Sequence, residues 1–235
     1  MDKKRNWVIE SAIIAVAIVV LGLSLKGGID DFVNKDRKVT VKGLAEMEVP
    51  ANKVTWPIVT KQTGNNMPAL YASVNHTAAT IKTYLKSNGI SDSEISVNAP
   101  QVTDAWANAY GSDRPTDRYV ITSVITVTST KVDKVRSIMA RQGELLNQGI
   151  AIVDDYNNSV TYEYTSFQKI KPEMMDKAIE NAQQTAEQFA KKSGSKLNKI
   201  ESAGQGQFEI TSRDQYTPYI KSLRVVTTVT YSLKD

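Results

Sequence analysis

The sequence predicts an α+β fold of antiparallel sheets with packed helices, preceded by one N-terminal transmembrane helix. Three observations carry that prediction. Trp7 to Leu25 (WVIESAIIAVAIVVLGLSL) is an apolar run with no polar stripe from Ala12 to Leu23, unlike a core helix with one solvated face. Beyond residue 38, period-two segments rich in Val, Thr and Tyr alternate with segments whose apolar residues recur every three or four positions. The order strand, helix, strand, strand then occurs twice.

The N-terminal run has 19 residues, which as a helix spans ~28 Å, close to the hydrocarbon thickness of a bilayer. Glu10 falls in the first turn, where a carboxylate suits the helix dipole, and Trp7 fits an interfacial anchor. Lys3, Lys4 and Arg5 precede the run, whereas Lys26 is followed by Asp30 and Asp31. The positive-inside rule then places residues 1–6 in the cytoplasm and residues 26–235 outside it, a single-pass protein of the cytoplasmic (inner) membrane with its C-terminal domain in the periplasm. A cleaved signal peptide is the alternative, cut after Ser24; the apolar run exceeds the usual length for one and no A-x-A pattern follows. Gly27 and Gly28 are expected to end the helix, making 26–37 a polar linker and 38–235 the exported domain.

Composition narrows the function classes. The chain has 235 residues, 41% hydrophobic and 23% charged, a globular balance. Its pI of about 9.0 owes much to the N-terminus. Without Lys3, Lys4, Arg5, Lys26, Asp2 and Glu10, 25 basic side chains face 23 acidic ones, so no nucleic-acid partner is expected. There is no cysteine, which excludes disulfides, a thiol nucleophile and a lipidated cysteine. The single histidine, His76, makes a protein-only zinc site improbable.

Along the domain, Val39–Val49 and Lys53–Thr63 read as strands joined by Pro50-Ala51-Asn52, with Gly43 suggesting a bulge and Pro57 an edge or a bulge. A helix follows, capped by Asn65 or Asn66 with Pro68 in its first turn. Leu70, Val74, Ala78, Ile81 and Leu85 form its apolar face, and Gly89 stops it. Ile95–Ala107 and Tyr119–Ser129 are expected to pair across a flexible loop, Asn108–Asp117. A second helix is expected over Lys131–Asn147, with Val132, Val135, Met139 and Leu146 inward. Strands at Ile150–Val153 and Ser159–Phe167 come next. The third helix is expected from about Pro172 to Lys192, its inner stripe made of Met175, Ala178, Ile179, Ala182, Ala186, Phe189 and Ala190. Strands Lys199–Ile210 and Lys221–Leu233 close the chain.

The repeat has local support. Gly89 and Gly194 each lie six residues before a strand-opening isoleucine, Ile95 and Ile200. Thr122–Ser129 (TSVITVTS) aligns with Arg224–Tyr231 (RVVTTVTY) at Val and Thr positions. The second helix joins the two units.

Three ordered blocks resemble the SIMPL-domain family of bacterial exported proteins, which includes periplasmic immunogenic proteins. They are VTVKGLAEMEVPANKVTW (Val39–Trp56), KVDKVRSIM (Lys131–Met139) and AIENAQQTAEQFAKKSGSKLNKIESAGQGQ (Ala178–Gln207). The resemblance implies export, self-assembly into rings or larger oligomers, and links to stress tolerance. It supplies no catalytic motif.

Site candidates therefore stay generic, and no catalytic, cofactor-binding or metal-ligating residue is assigned. His76 sits on the first domain helix without a Ser or Asp motif beside it. Glu46 and Glu48 share a strand face, where two carboxylates can bind a cation or do acid–base work, though a solvated face accounts for them better. Asp154 and Asp155 suit a turn. Gly204-Gln205-Gly206 lacks the following helix that a phosphate cradle needs, and a bulge accounts for it better. Tyr156, Tyr162, Tyr164, Tyr216 and Tyr219 suggest an interaction surface or, for Tyr162 and Tyr164, core. Asn75-His76-Thr77 and Asn157-Asn158-Ser159 match the glycosylation pattern, which is common by chance. The expected function is a non-enzymatic, membrane-anchored, homo-oligomerising interaction module with an envelope or stress-related role. The alternative is a small-ligand or peptide binding protein that uses the Asn108–Asp117 loop as a mouth.

Overall fold

The computed structural model describes residues 2–34, 37–107 and 114–234, with side chains for Trp7, residues 10–26, 28–29 and 37 onward. The first element, α1, is a helix over Asp2–Asn34. It runs through Gly27 and Gly28, where the sequence suggested an end. Glycine costs ~1 kcal/mol in a helix but, unlike proline, keeps its N–H and can be carried by its flanks. The span expected at 7–25 includes Val8 and Ile9, whose side chains lie outside the described set. Among the described residues, no helix is long and apolar enough to cross a membrane.

The rest of the chain is α+β. Strand β1 (Lys38–Pro50) turns through Ala51 and Asn52 into β2 (Lys53–Gly64), followed by α2 (Met67–Ser87). Short strands β3 (Ile95–Val97) and β4 (Gln101–Asp104) precede the long β5 (Tyr119–Ser129). Helices α3 (Val132–Ala140) and α4 (Gly143–Leu146) lead to β6 (Thr161–Glu163). Helix α5 (Phe167–Lys192) is followed by β7 (Lys196–Gln205), β8 (Glu209–Ser212) and β9 (Ile220–Lys234). One sheet has the order β1-β9-β7, with β8 also on β9; the other has β3-β5-β2-β6, with β4 also on β5. Every pairing whose register is described is antiparallel.

The chain divides into two compact units. One holds residues 1–47, 170–209 and 224–235; the other holds 48–169 and 210–223. In the second unit, Val54, Trp56 and Ile58 of β2 and Ile125 and Val127 of β5 face Ile81 and Leu85 of α2 and Val135 and Ile138 of α3. Helix α2 starts as its sequence requires. The Asn66 side chain accepts from Ala69 N at 3.1 Å, and Gly89 leaves the helix at φ +81°. In the first unit, Val41, Val229 and Tyr231 pack on Ala182 and Ala186 of α5.

The repeat is present in part. After α2, the pieces β3 and β4 both pair with β5; after α5, the pieces β7 and β8 both pair with β9. The leading strands differ. Strand β2 precedes α2 and neighbours β5, but β6, which precedes α5, joins β2, and β1 takes the place beside β9.

Several expected boundaries shift. The second helix breaks after Ala140, and the break resets its phase: Leu145 is fully buried, whereas Leu146 is 61% exposed. The strand expected at Ile95–Ala107 splits around Asn98–Pro100, since proline cannot donate to a ladder. Ile150–Val153 forms no strand, and Ser159–Phe167 keeps only Thr161–Glu163. Helix α5 begins at Phe167, with Pro172 inside it. Its inner row is Met174, Ala178, Ala182, Ala186 and Ala190, while Phe189 and Ile179 turn outward. The strand expected over Lys199–Ile210 is two pieces, β7 and β8, with its irregular register between Leu197 and Ser202 and not at Gly204-Gln205-Gly206.

Candidate functional site

One candidate cleft grows out of the proline in β2. Strand β6 pairs with β2 only at Lys53–Thr55. Strand β2 lies between β5 and β6 and is not an edge strand as a whole, but from Pro57 onward that flank carries no strand among the described residues. Irregular chain covers it instead, held where Val153 N donates to Val59 O at 2.9 Å. Apolar Trp56, Pro57, Met139, Ile152 and Val160 and polar Gln142, Asp154, Asp155 and Asn158 together line a cavity of about 950 Å³. Asp155 makes the turn expected of it: its carboxylate accepts from Asn157 N at 2.9 Å and its carbonyl from Asn158 N at 3.0 Å. Tyr156 at the tip is 99% exposed. A lining of mixed apolar and polar side chains suits an extended peptide or a small amphipathic ligand.

The other flagged residues lie apart. His76 is exposed on α2 and lines a separate cleft of about 470 Å³ with Gln62, Thr77 and Gln148. Glu46 pairs with Arg224 at 3.4 Å, and Glu48 with Arg213 at 3.2 Å. Each carboxylate is thus paired with an arginine of its own unit. No group of three or more acidic or histidine side chains among the described residues is placed to hold a metal ion. The five tyrosines do not form one surface. Tyr162 and Tyr219 meet edge to face at 6.2 Å with the Arg136 guanidinium 3.4 Å from the Tyr219 ring centre, whereas Tyr216 is exposed. Gly206 donates its N–H to Val226 O at 2.8 Å, and a Cβ there would meet that oxygen at 2.7 Å, so close approach explains this glycine. Asn75 lies within α2, and Asn157 in the turn after Asp155.

Two groupings were invisible in sequence. The first sits at the base of the loop expected as a mouth; residues 108–113 of that loop lie outside the described residues. Arg118 donates to Asp104 Oδ2 from Nε (3.0 Å) and Nη2 (2.8 Å), and this holds the carboxyl below the usual range. The same guanidinium lies 5.5 Å from the Trp106 ring centre and 4.9 Å from that of Tyr119. Trp106 Nε1 donates to Pro115 O at 2.9 Å, Arg118 N donates to Asn65 Oδ1 at 2.8 Å, and Thr63 Oγ1 donates to the Asp117 carboxylate. Both ends of the loop are therefore pinned to the sheet. The second grouping is Lys221, buried on β9, whose Nζ donates to Ser212 Oγ at 2.9 Å. Burial lowers the ammonium pKa. The next N–H after Ser212, that of Arg213, donates to Ile220 O and is not free to stabilise an oxyanion.

These features define an α+β protein of antiparallel sheets with helices packed on them. Residues 39–230 match the SIMPL family, described as a protein of unknown function (DUF541), and the chain belongs to that family. No curated protein matches the chain.

Proposed function

We propose that this chain is a non-enzymatic interaction module, held at the outer face of the cytoplasmic membrane by residues 7–25 and assembled into homo-oligomers. One observation carries the assembly reading. Strand β7 ends its sheet, and its residues are exposed on both faces except near Leu197. Its first half carries Lys196, Lys199, Glu201 and two register shifts, devices that discourage strand addition. Its second half, Ser202 to Gln205, has no charge and keeps regular register with β9. A second copy adding there would satisfy the open edge.

The membrane reading rests on sequence and exposure. Ile13, Ile14, Val16, Ile18 and Leu21 on α1 are all more than half exposed, an arrangement that water penalises and a bilayer rewards. The cleft beside Trp56 favours a second reading, peptide or small-ligand binding.

Light scattering on the full chain in detergent tests the assembly. The expected result is an oligomer that Ala203→Lys with Gln205→Lys reduces to a monomer. A wild-type monomer at every concentration sinks the proposal. A reporter fused after Asp235 that is active in the cytoplasm sinks the orientation.

A further inference from the structure

We infer that the end of the first unit nearest α1 is a basic docking surface for anionic phospholipid headgroups. This inference rests on the membrane-anchored reading above. Four pieces of chain converge there. Arg37, just before β1, donates from Nη2 to Ser195 Oγ at 2.8 Å, and its carbonyl accepts from Leu233 N at 2.8 Å. Ser195 lies between the end of α5 and the start of β7, and Leu233 lies near the end of β9. The lysines at this junction are Lys191 and Lys192 in the last turn of α5, Lys196 at the start of β7 and Lys234 at the end of β9. All four are exposed, and none makes an ion pair with another described residue.

Two of these lysines have an internal explanation and two do not. Lys191 and Lys192 complement the negative end of the α5 dipole. Lys196 and Lys234 are direct cross-strand partners, so their side chains share one face at close range, an arrangement of like charges that destabilises a sheet. Two described carboxylates close in sequence are engaged elsewhere, Glu201 with Lys38 at 2.7 Å and Glu187 with Gln183 at 2.9 Å, while Asp235 lies outside the described residues. An external anion removes that repulsion. Beside the lysines, Phe189 is 59% exposed on α5, the pairing of an aromatic ring with cations that suits a membrane interface.

The tether permits the contact. Helix α1 ends at Asn34 and β1 begins at Lys38, a gap that bridges at most about 14 Å. From Leu25 to Asn34 the helix rises about 14 Å, of which the headgroup layer takes roughly half. The patch is thus confined within about two to three Debye lengths of the headgroups at ordinary salt, and confinement keeps its effective concentration at that surface high.

The chain has no cysteine, so Ser193→Cys gives one labelling site in the middle of the patch. The full chain carrying a fluorophore there is reconstituted in phosphatidylcholine vesicles containing a headgroup quencher, with or without phosphatidylglycerol. Quenching should increase when phosphatidylglycerol is present and fall back in ~1 M salt, where the Debye length shrinks to ~3 Å. Each of Lys191→Gln, Lys192→Gln, Lys196→Gln and Lys234→Gln should lower the ratio of docked to undocked protein about fivefold, with the thermal midpoint confirming that the variant folds. Equal quenching in both lipids overturns the inference. Extraction of the chain from phosphatidylcholine vesicles by alkaline carbonate overturns the anchor instead; if phosphatidylglycerol vesicles still capture that chain at low salt, the docking surface stands without it.

Discussion

Helices α2 and α5 hold equivalent places in the two halves of the repeat and pack in opposite ways. Helix α2 buries Leu70, Val74, Ile81 and Leu85, and its sheet answers with Val54, Trp56 and Ile58. Helix α5 buries a row of alanines at four-residue spacing, 0–2% exposed. Its backbone comes so near β1 that a Cβ on Gly43 would lie 1.9 Å from Ala178 O. Large side chains hold one helix off its sheet, and small ones let the other lie against it. The same order of elements therefore supports two cores with opposite tolerances. The α2 layer is vulnerable to lost volume, and the α5 layer to added volume.

The largest expected effect tests the first half of that statement. Leu85 is fully buried among side chains of its own size, so Leu85→Ala should destabilise by ~2–5 kcal/mol through lost transfer energy and a residual cavity. Phe189→Ala truncates a bigger side chain on α5 but removes an exposed one and should change stability by less than ~0.5 kcal/mol. Urea denaturation of both variants checks this, and equal shifts would erase the contrast.

The next effect tests the second half. Gly43→Ala adds a single methyl group and Ala186→Trp a whole indole. The first collides with the α5 backbone and the second with the Val41, Val229 and Tyr231 cluster, and overpacking of this kind costs ~1–3 kcal/mol or more. Ala78→Leu on α2 is the control, because Ala78 is only partly buried at the border of its cluster. An unchanged midpoint for Gly43→Ala would mean that α5 moves away from β1 freely.

Much of this contrast was legible in the sequence, and the failures share a cause. The α2 face, the Asn66 cap and the stops at Gly89 and Gly194 follow from local rules, and the two glycines have φ of +81° and +71°. The small-residue character of α5 was also legible, but its outline was not. A stripe read as broad included Ile179 and Phe189, because periodicity alone cannot tell that a close-approaching helix buries one narrow row. The break after Ala140 moved burial from Leu146 to Leu145, and no proline or glycine marks position 141 or 142. Gly43 suggested a bulge because the demand on it comes from α5, more than a hundred residues later. The Arg118–Trp106 grouping and the Lys221–Ser212 pair depend on strand register, which composition does not specify. The open flank at Pro57 was legible, though not that β2 lies between β5 and β6, and the cleft beside it was not, since it depends on how residues 150–160 run.

The smallest effect concerns the turns that echo each other after the two helices. Five residues past its positive-φ glycine, the second unit has Glu94 and the first has Lys199. The Glu94 carboxylate accepts from Ser129 Oγ at 2.6 Å, Ser91 N at 2.9 Å, Ser91 Oγ at 2.7 Å and Lys131 Nζ at 3.2 Å. The Ser129 hydroxyl, then the Ser91 donors, lower its pKa from 4.5 to about 2. A carboxyl with a depressed folded pKa binds fewer protons in the folded state between those values. Its stabilisation is therefore complete above pH ~5 and is lost as pH falls toward 2. For a carboxylate that keeps some contact with water, the loss is on the order of 1–2 kcal/mol. The turn in the first unit is instead tied by the neutral Ser195, which accepts from Arg37, and has no carboxylate at the matching place. Acid should accordingly loosen residues 91–97 before residues 195–202. Hydrogen exchange at pH 6 and pH 3, corrected for intrinsic rates, checks this, and Glu94→Gln should flatten the difference because glutamine accepts from Ser129 at either pH. Equal acid sensitivity of the two turns in the wild-type chain would show that the echo extends to their chemistry and would remove Glu94 as the source of the asymmetry.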